Sequence, residues 1–173
     1  MSVSIWQDRN SINQEVNSDY DVVIIGAGIA GLSAAYWILK EDEGLRVALV
    51  DKGEVADGAT GRNAGFITCG SVEHFNRLVG KHGEDKALEI WRFSEKNLSL
   101  LKSEIFDQTK NELYFEQKGS FSLASTNEEF NELKKSFELM KSLDIEVETL
   151  QESEITTRLG ASGFVGGIKY GKD

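Results

Sequence analysis

Six residues, Gly26-Ala27-Gly28-Ile29-Ala30-Gly31, constrain this chain more than any other feature. They spell G-x-G-x-x-G directly after the apolar, β-branched run Val22-Val23-Ile24-Ile25 and open the Ala-, Leu- and aromatic-rich stretch Ile29–Lys40. That stretch stops in Glu41-Asp42-Glu43-Gly44, and Arg46-Val47-Ala48-Leu49-Val50 forms a second strand candidate. Strand, Gly turn, helix and strand in this order make a βαβ unit and an α/β fold. Both faces of the first strand are apolar, so it is expected at the centre of a parallel sheet. Each glycine has a mechanical reason: Gly26 allows the tight turn, Gly28 lets a pyrophosphate approach the backbone, and Gly31 lets helix and strand pack closely. The helix start then offers free N–H groups and a positive dipole end to phosphates.

Gly triplets also occur in ordinary turns, so the hexapeptide gains weight from its context. Asp51 ends the second strand 20 residues after Gly31, where an acid can accept hydrogen bonds from the ribose hydroxyls of an adenosine. The competing reading of Asp51 is a strand-end carboxylate capping a turn. Its charge disfavours a 2′-phosphate and hence NADP, while the βαβ fingerprint leaves FAD and NAD both open.

Composition removes other classes. Of 173 residues, 40% are apolar and 28% charged, enough for a packed core. The formal charge is −10, with 5 basic and 10 acidic residues in 1–70 and 14 and 19 in 71–173, so no basic patch is left to neutralise phosphates and nucleic acid is not expected as a partner. Cys69 is the single cysteine, which excludes an internal disulfide, and the opening MSVSIWQDRN lacks the regions of a signal peptide. A cytoplasmic protein is expected. The longest apolar run, Ile29–Leu39, is too short for a membrane span of about 20 residues.

Residues 1–18 are polar and aperiodic and read as an N-terminal arm, with Trp6 packing on the domain surface or on a partner. Beyond the βαβ unit, helical periodicity runs from about Glu84 to Phe106 through Ala87, Trp91, Leu98, Leu101 and Ile105, and again through Phe130, Leu133, Phe137, Met140 and Leu143. Asn127 is expected to cap the second of these, with Glu128 and Glu129 in its first turn. Strands are expected at Leu113–Glu116, paired with or next to Ser120–Ala124, at Ile145–Val147 and at Phe164–Tyr170, with a short helix at Glu152–Arg158.

A second glycine-rich segment holds Gly53, Gly58, Gly61, Gly65 and Gly70 and reads as a loop whose backbone something approaches closely. Its stretch Asp57-Gly58-Ala59-Thr60-Gly61-Arg62-Asn63-Ala64-Gly65-Phe66 resembles the loop that runs under the pyrophosphate and flavin in the D-amino-acid oxidase superfamily of flavoproteins. The run Asp21–Ala35 resembles that family's opening, and Gly119-Ser120-Phe121-Ser122-Leu123-Ala124 is similar to its "Gly-Ser-Leu-x-Leu-Ala" strand. The likeness covers about residues 19–170 and is nearest the gamma-glutamylputrescine oxidase and glycine oxidase-like branch.

The resemblance implies a Rossmann-like FAD/NAD(P)-binding βαβ domain over 19–110, followed at 111–173 by the first part of an α+β substrate domain, incomplete. It implies FAD as cofactor, with Gly26, Gly28, Ile29, Ala30, Gly31 and Asp51 around the ADP half and Lys52 along the adenine or simply solvated. Gly58, Ala59, Thr60, Arg62, Asn63, Ala64 and Gly65 would approach the pyrophosphate and isoalloxazine, with a surface ion pair as the other reading of Arg62. Arg62 stands where some relatives carry a flavin-linking His, so the FAD is expected to be noncovalent. Members of this superfamily are about twice as long or more. The chain is therefore expected to be the FAD-binding portion of an enzyme oxidising the C–N bond of an amine or amino acid, completed by a C-terminal half or a second chain. A non-catalytic dinucleotide-binding half-chain and an NAD-dependent dehydrogenase fragment are the alternatives, and no catalytic residue is assigned.

The remaining reactive side chains read as structural. His74 and His82 have no metal-ligand spacing with Cys69. Cys69 follows an apolar run and reads as a small buried hydrophobe, and Trp37 and Trp91 read as core.

Overall fold

The computed structural model describes residues 19–109 and 113–173. The expected arm, with Trp6, and the boundary expected at 110/111 lie outside the described residues. The chain divides between Phe66 and Ile67 into two compact units.

In the first unit, β1 (Val22–Ile25) and β2 (Val47–Val50) are parallel in the register Val22↔Val47 to Ile25↔Val50, joined through α1 (Ile29–Glu41). The βαβ unit thus forms over the residues its pattern indicates. Asp21 and Arg46 close the open end of the strand pair: Arg46 donates from its backbone N and Nε to Asp21 Oδ2 at 2.9 and 3.0 Å and from Nη2 to Oδ1 at 2.9 Å. Bonding to the Arg46 side chain pulls the Asp21 carboxyl down to about 2. The expectation of a central strand buried on both faces is not met among the described residues. β1 has β2 on one edge only, and Val23 and Ile25 remain 56% and 88% exposed. Trp37 also departs from its expected core position: it lies 37% exposed, edge-on to Tyr36 with the Lys40 ammonium 5.2 Å above its ring.

The second unit is an antiparallel sheet in the order β3 (Ser120–Ala124), β5 (Gly166–Tyr170), β4 (Val147–Gln151), with α2 (Val72–His82), α3 (Glu84–Leu101), α4 (Asn127–Ser142) and α5 (Glu152–Leu159). The core gathers Phe75, Trp91, Met140, Ile145, Ile168 and Tyr170. Phe75 and Tyr170 pack edge-on against Trp91 with centroids 5.4 and 5.1 Å away, the geometry aromatic quadrupoles favour. Ala87, Trp91 and Leu98 form the buried stripe of α3 as their spacing requires, and the helix ends in a π-helical turn at Lys102–Phe106.

Three local expectations are corrected. Leu113–Glu116 forms no strand; β3 instead pairs with β5, Ser120 opposite Tyr170. Gly119 directs the chain into β3 at φ +81°, where a Cβ would lie 2.5 Å from the Tyr170 carbonyl oxygen. The strand expected at Ile145–Val147 begins at Val147, because Asp144 turns the chain at φ +58° and buried Ile145 donates its amide to Met140 O. The cap of α4 is Thr126, not Asn127: Thr126 Oγ1 accepts the Glu129 amide while the Glu129 carboxylate accepts the Thr126 amide, a reciprocal capping box.

Candidate functional site

The two glycine-rich segments of the first unit come together at the start of α1. Gly26, at φ +107°, takes the chain off β1, and Gly28 occupies the N-cap position. Helical geometry leaves the amides of Gly28, Ile29, Ala30 and Gly31 without a carbonyl four residues back, and no acid stands in the first turn to neutralise the positive end. A Cβ on Gly31 would lie 1.8 Å from the Gly26 carbonyl oxygen, so only glycine permits this contact between the helix and the turn.

Asp51, at the end of β2, accepts the Ala27 amide on Oδ2 at 2.8 Å and the Gly53 amide on Oδ1 at 2.9 Å. These two amides, Ala27 first, hold its carboxyl below the usual range, so it stays ionised at neutral pH. Of the two expected readings of Asp51, the strand-end carboxylate capping a turn is the one these contacts show: it reaches the Gly turn itself.

The second loop closes on the same turn. Ala56 donates its amide to Ala27 O at 3.0 Å, and Gly61 donates to Ala56 O. Thr60 opens one 3-10 turn, Thr60–Arg62, and its Oγ1 accepts the Ile29 amide at 2.9 Å, capping α1 from 31 residues away. A Cβ on Gly28 would stand 3.1 Å from that hydroxyl. Thr60→Val is expected to cost about 1 kcal/mol through loss of this cap, read as a lower thermal midpoint, with Thr60→Ser close to wild type.

Other expected site residues lie further along these loops. Arg62 pairs with Asp57 at 3.8 Å, both half exposed. Asn63 Oδ1 accepts the Gly65 amide at 2.7 Å, turning the chain at Ala64, and Gly65 has φ +81°. Lys52, Gly58 and Ala59 are exposed. Ala27 and Ala56 were not anticipated: their backbone groups make the junction, and a backbone group leaves no signal in residue identity beyond the glycines beside it.

A diphosphate fits the glycine turn, where a Cβ on Gly28 would crowd the Thr60 hydroxyl, and a helix first turn free of acids, while the strand-end carboxylate of Asp51 suits hydroxyl donors and not the phosphates. In the second unit, Cys69 is buried, and burial pushes its thiol up, as expected of a small hydrophobe. Among the described residues no group of three His, Cys, Asp or Glu side chains is placed to hold a metal, and no helix is long and apolar enough to cross a membrane.

A strand–Gly turn–helix–strand unit with a carboxylate on the turn defines the dinucleotide-binding class. Comparison with known proteins narrows it: the FAD dependent oxidoreductase (DAO) family model matches residues 21–173, and the chain belongs to that family, whose cofactor is FAD. It is 27% identical over 143 residues to the sarcosine oxidase subunit beta of an Arthrobacter species, covering 83% of this chain and 32% of that protein. It is 37% identical over 78 residues to the L-2-hydroxyglutarate dehydrogenase of Indibacter alkaliphilus, covering 44% of this chain and 20% of that one. The fold matches the crystal structure of glycine oxidase from Geobacillus kaustophilus with a TM-score of 0.64 at 24% identity, over 89% of this chain and 40% of that one. The chain thus spans a third or less of the length of the two curated relatives.

Proposed function

We propose that this chain is the FAD-binding portion of an oxidoreductase that oxidises the C–N bond of an amine or amino acid. The observation that carries this reading is the junction of the two glycine-rich segments at the start of α1, where Thr60 meets Ile29 and Ala56 meets Ala27. In this reading Gly26, Gly28, Ile29, Ala30 and Gly31 receive the pyrophosphate and Asp51 the adenosine ribose, with Lys52 beside the adenine. Gly58, Ala59, Thr60, Arg62, Asn63, Ala64 and Gly65 line the path towards the flavin ring. These residues would hold FAD noncovalently, and the bound flavin would supply a hydride acceptor for oxidation at the carbon next to nitrogen. The chain's own task is binding and orientation, with the helix start and the loop amides set against the phosphate charge.

The C–N assignment draws on the sarcosine oxidase relative, which aligns with most of the chain. A hydroxy acid donor is the second reading, supported by the shorter but more identical match to L-2-hydroxyglutarate dehydrogenase. A further polypeptide, either a C-terminal half or a second subunit, is proposed to complete the substrate pocket, since the sarcosine oxidase relative is itself called a subunit and extends well beyond the matched part. Cys69, a thiol outside any disulfide, accords with a reducing cytoplasm.

Purified protein is expected to carry, or to take up, a yellow flavin that acid precipitation releases. Flavin remaining on the precipitate overturns noncovalent binding, and protein that binds NAD but no FAD overturns the cofactor assignment. With the completing polypeptide present, peroxide release or anaerobic dye reduction is expected with glycine, sarcosine, D-amino acids or polyamine derivatives. Turnover of L-2-hydroxyglutarate alone would select the second reading.

A further inference from the structure

We propose that Asp51 is a positioning residue of the Gly26–Gly31 turn, fixing the shape of the pyrophosphate cradle in addition to any contact with ribose; this rests on the FAD-site reading above. The turn is weakly specified by its own residues. Ala27 sits between two glycines, and glycine has little preference for one backbone conformation, so the intrinsic torsions of Gly26-Ala27-Gly28 leave the direction of the peptide groups open. The direction is imposed from outside. Gly26 donates its amide to Val50 O at 2.7 Å and Ala56 donates to Ala27 O at 3.0 Å, while the Ala27 amide ends on Asp51 Oδ2 at 2.8 Å.

Ala27 is 2% exposed, between the half-buried Gly26 and Gly28, while Ile29, Ala30 and residues 51–53 are exposed. Of these three contacts, the one from Asp51 is made by a side chain, and its ionised oxygen makes a stronger acceptor than a carbonyl. Asp51 Oδ1 is at the same time anchored by the Gly53 amide at 2.9 Å, so the carboxylate cannot swing away freely. The two roles are compatible. A carboxylate has about four acceptor sites; Ala27 and Gly53 take one each and the Lys52 amide also bears on the carboxylate, which leaves capacity for a hydroxyl donor. A strand-end acid acting on ribose alone would have no reason to reach back to the turn.

The roles separate with two nucleotides that share the diphosphate and differ in the sugar. ADP and 2′,3′-dideoxy-ADP are titrated calorimetrically into the wild-type protein and Asp51→Ala, and exchange of the Ala27 amide is followed without nucleotide. The expected result is that Asp51→Ala weakens both nucleotides by about 10-fold and speeds Ala27 exchange by a similar factor. Removing a negative charge near a phosphate would by itself tighten binding, so weakened dideoxy-ADP binding reports geometry. Asp51→Asn, whose amide oxygen can stand at only one of the two oxygen positions while its NH2 group faces the other N–H, should fall between wild type and alanine and guards against a variant that fails to fold. Loss of ADP affinity with dideoxy-ADP affinity and Ala27 exchange unchanged would overturn the proposal and leave a ribose contact alone. If wild-type protein binds neither nucleotide, the FAD-site reading fails, and Ala27 exchange decides the positioning role by itself: faster in the variant supports it, unchanged refutes it.

Discussion

Gly31→Ala is expected to disable the dinucleotide site outright. The added Cβ would lie 1.8 Å from the Gly26 carbonyl oxygen, 3.0 Å from the Gly26 carbonyl carbon and 3.2 Å from Leu49 Cδ1. Two of these three atoms are backbone and cannot rotate aside, so α1 must move away from the strand end. Overpacking a close contact costs about 1–3 kcal/mol, and a backbone clash this deep belongs at or above the upper end. The same displacement carries the amides of Gly28, Ile29 and Ala30 off the position where phosphates would be received. Flavin titration and thermal denaturation check this: loss of FAD retention with a lowered midpoint is expected, and wild-type behaviour in both would contradict the packing described. Gly171→Ala, outside the proposed site, is the control, because a methyl group there would have nothing within 4 Å and a change within about 0.5 kcal/mol is expected.

The second large effect belongs to Glu95 in α3, whose side chain is only 11% exposed. It accepts from Arg92 Nη1 at 2.7 Å, Tyr170 Oη at 2.7 Å and Lys172 Nζ at 3.3 Å. Glu95→Ala removes one acceptor from three donors. Arg92 and Lys172 are partly exposed and can rehydrate, and Arg92 keeps the carbonyls of Leu143 and Asp144. The group most affected is the Tyr170 hydroxyl on a buried ring, which keeps only the weak sulfur acceptor Cys69 Sγ at 3.6 Å; a buried hydroxyl left poorly satisfied costs about 1–3 kcal/mol. A total of about 2 kcal/mol is expected on that scale, and Glu95→Gln should lose less. Burial raises the Glu95 carboxyl, but the bonds from Arg92 and Tyr170 outweigh it and hold it below its ordinary 4.5. A carboxyl lowered on folding contributes stability that is complete above that ordinary value and is lost as pH falls through the folded one. Stability should therefore drop more steeply below pH 4.5 in wild type than in Glu95→Gln, as urea midpoints measured across that range would show.

The sequence made the βαβ unit legible because its three elements are local and each has a distinct period: a short β-branched run, an Ala-rich helix and a second run closed by Asp51. The Gly turn and Asp51 were legible for the same reason. What escaped was tertiary. Spacing alone does not show that the Asp51 carboxylate ends on the Ala27 amide, or that Thr60 caps a helix 31 residues earlier. The buried central strand failed on different grounds: an apolar run states what a strand can bury, and Val23 and Ile25 stay largely uncovered among the described residues. The shift from Asn127 to Thr126 as helix cap was open to inspection, since Thr126-Asn127-Glu128-Glu129 carries the capping-box spacing. Leu113–Glu116 has the composition of a strand, and its expected neighbour β3 found its partner in β5 about 50 residues on.

The order of the second sheet has a consequence for synthesis. β5 is the last of its three strands to be made and lies between the other two, so neither β3 nor β4 has its strand partner in this sheet until residues 166–170 have left the ribosome. Up to that moment the nascent chain presents two unpaired strands and the apolar faces of α2, α3 and α4, surfaces that other chains can join. Vectorial folding of this unit is thus late and abrupt. Slowing translation before residues 166–170 have emerged would lengthen the exposed interval and raise the demand for chaperones, whereas slowing it after their emergence would leave the yield of folded protein unchanged.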